Sequence, residues 1–164
     1  MDGIEADVER RLVELWAGID DHEEADFRAR IDEAVAALRA DHPVALFERA
    51  CANDSTGRPD HAAPLYREAI AAGLTGIRRR RAVIQLASSL RNLGRARESV
   101  ELLTAERERG SDELDDAVTA FLALALVDTG RPREAAGLAL GALAPHLPRY
   151  TRSLAAYAAD LRSG

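Results

Sequence analysis

Apolar residues in the middle of the chain recur at helical spacing on both sides of a glycine. Leu86, Ala87 and Leu90 fall at positions i, i+1 and i+4, and Gly94 follows them. A second helical series of small and apolar positions comes next: Ala96, Ser99, Val100 and Leu103. A glycine just past a helix can adopt the left-handed conformation, which costs other residues about 1–2 kcal/mol. The pattern therefore predicts two helices joined by a tight turn at Gly94.

The same pattern occurs once before and once after this pair of helices. Its turn glycines are Gly57, Gly94 and Gly130, so the copies are 37 and 36 residues apart. A repeat of this length is typical of helical hairpins that stack and bury a continuous core. We therefore expect three hairpins over residues 43–148, with Pro43 suited to the first position of their first helix.

Segments without this repeat flank the three hairpins. Residues 1–41 carry two amphipathic patterns, one through residues 4–19 and one that includes Phe27 and Ile31. They are expected to form a helical hairpin, either a cap on the stack or a dimerisation arm, and Trp16 fits both alternatives. The apolar pattern of residues 149–162 predicts a capping helix. The chain, 1–164, is interpreted as a single helical domain.

The repeated positions follow a known frame. The middle copy reads Val83-x2-Leu86-Ala87-x2-Leu90, Gly94, Ser99-x3-Leu103, and the third reads Thr119-x2-Leu122-Ala123-x2-Leu126, Gly130, Ala135-x3-Ala139. This frame resembles that of the tetratricopeptide repeat (TPR) family, which has W-x2-L-G-x2-Y, a turn glycine and A-x3-F. Aliphatic residues replace the Trp and most aromatic residues here, and Arg49 and Asn53 interrupt the first copy.

The resemblance implies an all-α fold, an α-solenoid of about three TPR-like helical hairpins with an N-terminal helical hairpin and a C-terminal capping helix. The stretches 54–76, 85–95 and 122–136 are more specifically similar to small bacterial tetratricopeptide proteins of mostly unknown function, which implies a homodimer. Two functions follow from the resemblance. One is a non-catalytic module that binds a protein or peptide in the concave groove of the repeats. The other is a homodimeric assembly or scaffold module whose main partner is itself.

In the resembled family, the first helix of each hairpin lines the groove. Transfer of those positions gives the polar candidates for protein or peptide binding: Glu48, Asp54, Arg81, Gln85, Ser88, Arg91, Asn92 and Asp128. The third copy places mainly apolar residues there: Ala117, Ala120, Phe121, Leu124 and Val127. Some members clamp a C-terminal carboxylate with basic residues and Asn. Because Phe47, Cys51, Ala117 and Phe121 stand at the corresponding positions, binding of a chaperone tail is not predicted.

Charge narrows the choice of partners. The net charge is −6, and neither nucleic acid nor an anionic membrane is an expected partner, because both bind broad basic surfaces. The run from Arg78 to Arg81 is interpreted as solvated charge or, alternatively, as a contact for an acidic segment of a partner or of a second subunit. The second reading is motivated by its unfavourable place near the positive end of a helix dipole.

No pattern in the chain predicts catalysis, a cofactor or a metal. The chain has no lysine, which excludes a Schiff base and a P-loop. Three of its four histidines follow an aspartate, and these pairs are interpreted as helix starts at which Asp is favoured as a cap. Cys51 is the single cysteine, the N-terminus is not a signal peptide, and the longest apolar run is too short to cross a membrane. A cytoplasmic protein without enzymatic activity is expected.

Overall fold

The computed structural model describes residues 3–163 and confirms the all-α fold class. This part of the chain contains nine α-helices and no strand. The helices are α1 (Gly3–Ala17), α2 (Glu24–Val35), α3 (Pro43–Ser55), α4 (Pro59–Ala71), α5 (Gly76–Asn92), α6 (Ala96–Arg109), α7 (Asp115–Asp128), α8 (Pro132–Leu143) and α9 (Thr151–Ser163). Two short 3₁₀ turns, Ile19–Asp21 and Ala144–His146, precede α2 and α9.

The three repeated turns have the same backbone geometry. The φ angles of Gly57, Gly94 and Gly130 are +72°, +75° and +79°. In each turn the next residue donates its N–H to a carbonyl five positions earlier: Arg58 to Asn53 at 2.9 Å, Arg95 to Leu90 at 2.8 Å, and Arg131 to Leu126 at 2.9 Å. This pattern closes the end of a helix and satisfies a carbonyl that would otherwise lack a partner. The predicted left-handed glycines are therefore confirmed.

Three helices begin with a proline, as predicted for α3, but their expected caps differ. Pro43, Pro59 and Pro132 each occupy the start of a helix. The expected aspartate caps are wrong: Glu23 and Arg58 are the N-caps of α2 and α4, and neither makes a side-chain cap hydrogen bond. In α3, His42 is the cap and its Nδ1 accepts a hydrogen bond of 3.3 Å from the Val44 N–H. Asp41 instead accepts hydrogen bonds from Arg39, which draws its carboxylate away from the helix start.

The chain forms two compact units that divide within α5, between Ser89 and Leu90. In the first unit, α1 packs on α2, α2 on α3, and α3 on α4. Its N-terminal core contains Val8, Leu12, Phe27, Ile31 and Val35. The N-terminal hairpin is thus packed on the first repeat by a shared apolar core.

In the second unit, α6 packs on α7, α7 on α8, and α8 on α9. Its buried apolar side chains include Leu90, Leu103, Val118, Leu122, Ala125, Leu126, Ala135, Leu138 and Ala158. Most are aliphatic or small, which fits the scarcity of aromatic residues in the chain. Among residues 3–163, none of the helices has both the length and the apolar character required to cross a membrane.

Candidate interaction surface

A chain of polar contacts joins α1 to α3 and α5 in the first unit. The indole Nε1 of Trp16 donates a hydrogen bond of 2.8 Å to Oε2 of Glu48. Arg78 lies 3.4 Å from the other oxygen of that carboxylate and 2.6 Å from Oε2 of Glu9. Glu48, one of the expected groove residues, is therefore held inside the unit rather than presented to solvent.

The carboxylate of Glu48 is only partly compensated by these contacts. The residue is 4% exposed. Burial raises its pKa above the ordinary value, although the Trp16 hydrogen bond and the charges of Arg78 and Arg81 oppose the rise. This carboxylate is best described as a buried structural group supported by α1.

Asp54 takes part in a second polar cluster between α3, α4 and α5. Its Oδ1 accepts a 2.8 Å hydrogen bond from Ser89 Oγ, and its Oδ2 accepts a 3.4 Å bond from the Tyr66 hydroxyl. One turn earlier, the Cys51 thiol donates to Oε1 of Gln85 at 3.4 Å. Burial raises the pKa of Asp54, while its two hydrogen bonds lower it. Both oxygens of Asp54 are thus occupied within the fold.

Cys51 is buried in the same cluster. Burial raises the pKa of its thiol to about 12, so the thiolate is scarce at neutral pH. The phenol of Tyr66 also has a raised pKa because it is buried. Neither group has the lowered pKa that an activated nucleophile needs.

Arg81 is the candidate that the first unit leaves available for a partner. Its side chain is exposed, and its guanidinium carbon lies 5.2 Å from the centre of the fully buried Phe47 ring. Within residues 3–163 no carboxylate forms an ion pair with it. Gln85 and Ser88 follow at i+4 and i+7 and are partly exposed, so the three side chains share one face of α5.

The remaining candidates lie in the second unit. Arg91 Nε is 2.6 Å from Oδ2 of Asp128, which joins the C-terminal end of α5 to that of α7. Asn92 is exposed at the last position of α5. Arg91 and Asp128 therefore neutralise each other, whereas the Asn92 amide faces solvent.

The contribution of α1 to this surface was not predictable from the repeat. Glu9 and Trp16 reach Arg78 and Glu48, which belong to other hairpins. Residues 1–41 lack the repeat frame, so no positional correspondence pointed to these contacts. Two features of the sequence could have indicated these contacts. One is the indole of Trp16 in α1, and the other is the cluster of arginines in α5, whose charges favour nearby anions.

Comparison with known proteins agrees with this architecture. The family model described as Tetratrico peptide repeat matches residues 43–161. The chain therefore belongs to the tetratricopeptide repeat family, whose members generally act as protein–protein interaction modules. No curated protein matches this sequence.

Proposed function

We propose that this protein is a non-catalytic interaction module that binds a protein or peptide partner through the groove face of its repeats. The observation that carries the proposal is the exposed, unpaired guanidinium of Arg81 on the Phe47 ring. An arginine that stacks on an aromatic ring is held in place while its donors stay available. It can then bond a carbonyl or carboxylate of a partner.

Gln85 extends this donor surface by one helical turn. The Cys51 thiol bonds to its Oε1 and orients the amide, while its NH₂ group has no partner among the described residues. Ser88 adds a partly exposed hydroxyl one turn further along. Together the three side chains offer a guanidinium, an amide and a hydroxyl in line, which suits the main chain of a bound segment.

The proposal includes a non-catalytic role and a location in the cytoplasm. Within residues 3–163 no group of three or more His, Cys, Asp or Glu side chains is placed to hold a metal ion. The one thiol is buried and has a raised pKa. Family membership supports the same role, because tetratricopeptide repeats generally bind proteins.

The test compares how well the full-length wild type and single-arginine variants capture a partner protein. Tagged wild type, Arg81→Ala and Arg133→Ala would be compared by pull-down from the native lysate, with captured proteins identified by mass spectrometry. Arg133 is an exposed arginine of α8 and serves as the control. We expect a partner that is held by wild type and Arg133→Ala and lost by Arg81→Ala. Equal capture by all three would contradict a role for this face.

Self-association is a second candidate function, favoured by exposed aromatic residues near α9. Tyr157 of α9 is 65% exposed, and Tyr150, which immediately precedes the helix with a φ of +69°, is 77% exposed. Light scattering on wild type and Tyr157→Ser tests this alternative. A wild-type dimer that Tyr157→Ser dissociates would support it, whereas a wild-type monomer at high concentration would exclude it.

A further inference from the structure

Helix α7 is apolar on two faces, and only one of them is buried. Leu122 and Leu126 lie in the interior of the second unit and are 2% and 1% exposed. On the other side Leu124 and Val127 are 45% and 51% exposed, and Ala120 lies next to them one turn earlier. A helix that is apolar all round is normally buried all round. The second face of α7, formed by Ala120, Leu124 and Val127, is here called the α7 strip.

The charge around the α7 strip is unequal at its two ends. Four acidic residues surround the start of α7: Asp112, Glu113, Asp115 and Asp116. Glu113 is exposed and has no ion-pair partner among residues 3–163, whereas Asp116 lies 2.8 Å from the imidazole of His146. At the other end, Arg91 neutralises Asp128. The strip is therefore apolar along its length, and within the described part of the chain Glu113 leaves an uncompensated negative charge near its start.

The backbone requirements of a bound segment favour a helix. A segment laid on an apolar strip leaves water, and the N–H and C=O groups of α7 are already paired within the helix. The bound segment must satisfy its own backbone hydrogen bonds, which an α-helix does internally. Side chains spaced at i, i+4 and i+7 on α7 also match the ridges of a second helix.

We infer that the α7 strip binds an amphipathic helix of a partner protein. The apolar side chains of that helix contact Leu124 and Val127, and its basic side chains lie at the end of the strip near Glu113 and Asp116. This inference rests on the proposed function, since it assumes an interaction module. It uses residues of the second unit, and Arg81 has no part in it.

The probe is a synthetic amphipathic helix with Leu at i, i+3, i+4 and i+7 and lysines at one end, labelled for fluorescence anisotropy. A matched peptide carries glutamates in place of the lysines. The full chain is expected to bind the basic peptide about tenfold more tightly than the acidic one, because opposite charges favour only the first. Leu124→Ser with Val127→Ser is expected to weaken binding by about tenfold or more.

Two control variants test whether the loss of any exposed apolar or acidic side chain outside the strip also weakens peptide binding. Leu143→Ser removes an exposed apolar side chain of α8, and Glu101→Gln removes an exposed carboxylate of α6. Both should bind the basic peptide as wild type does, whereas Glu113→Gln should weaken it about threefold. Circular dichroism checks the fold of each variant. If the double variant does not fold, Leu124→Gln alone provides the comparison.

Three results would overturn the inference. They are the absence of saturable binding of the basic peptide, equal binding of the two peptides, or equal binding by wild type and the strip variant. Light scattering tests whether a second copy of the chain binds to the strip instead. If wild type is a dimer and the strip variant is a monomer, the occupant is a second copy and not a partner helix. Failure of the peptide experiment, with partner capture still sensitive to Arg81→Ala, would reject this inference and leave the proposed function intact.

Discussion

Trp16 and Glu48 are 32 residues apart in the sequence and are joined by a 2.8 Å hydrogen bond from the indole Nε1 to the carboxylate Oε2. The indole also packs edge-on against Phe27, with ring centres 5.0 Å apart. One side chain of α1 therefore fills the core of the N-terminal hairpin and supplies a donor to a buried acid. This favours a packed role for Trp16 over that of an exposed anchor in a dimerisation arm.

Trp16→Phe should destabilise the protein by about 1–3 kcal/mol, because it removes a donor from a buried carboxylate while an aromatic ring remains. Urea unfolding followed by circular dichroism measures the change. Val13→Ala, at a position of α1 that is 68% exposed, should change the free energy of unfolding by less than about 0.5 kcal/mol. A Trp16→Phe variant as stable as wild type would show that this hydrogen bond contributes nothing.

Asp54→Asn should stabilise the protein more as the pH rises. Burial raises the pKa of Asp54 in the folded state above its ordinary value of 3.8, so the folded protein binds more protons than the unfolded chain just above that pH. The free energy of unfolding contributed by this group then falls as the pH rises from 3.8 through the folded pKa. An asparagine keeps an oxygen for Ser89 and does not ionise.

Unfolding of wild type and Asp54→Asn over a pH series measures that difference. Asp41 provides a contrast, because the hydrogen bond from Arg39 lowers the pKa of its exposed carboxylate. Asp41→Asn should therefore lose a small stabilisation that is present above pH 3.8 and disappears as the pH falls. A difference between Asp54→Asn and wild type that did not grow with pH would contradict the burial of an ionised Asp54.

Gly137→Ala should destabilise the second unit by about 1–2 kcal/mol, although alanine favours a helix more than glycine does. A Cβ at this position would lie 2.8 Å from the carbonyl oxygen of Ala158 and 3.1 Å from the Cβ of Leu161, so α8 and α9 would have to separate. Thermal unfolding measures the loss.

The matched control for that change is Gly141→Ala, one turn later on α8. Its added Cβ would meet only the Ala158 Cβ at 3.9 Å, which is an ordinary contact. The control should therefore stabilise the protein by about 0.5–1 kcal/mol through helix propensity. Equal effects of the two alanines would mean that α9 does not pack closely at Gly137.

Gly94→Ala should cost about 1–2 kcal/mol, because its φ of +75° is disfavoured for a residue with a Cβ. The space around it is open, so the cost is conformational rather than steric. Gly110→Ala is the comparison, since Gly110 also has open space but an extended φ of 166°. Chemical denaturation should show a loss for the first variant and little change for the second.

The turns and the helices were predictable because local rules determine them. Gly57, Gly94 and Gly130 mark the helix ends, and the apolar spacing around them identifies the faces of each hairpin. The surface was less predictable, because exposure depends on contacts made by distant residues. Glu48 occupies an expected groove position, yet Trp16 from an unrelated segment covers it. Arg81, by contrast, is exposed, and its stacking partner Phe47 lies in the preceding hairpin.

The two polar contacts between α3 and α5 determine how these helices align along their axes. Cys51 bonds Gln85, and one turn further along Asp54 bonds Ser89. A helix pair joined only by alanine and leucine could slide by a turn and find similar apolar neighbours. A slide here would leave the partly buried carboxylate of Asp54 without its hydroxyl donor. These two hydrogen bonds therefore allow only one register between the helices, and the donors on α5 keep a fixed axial position relative to α3.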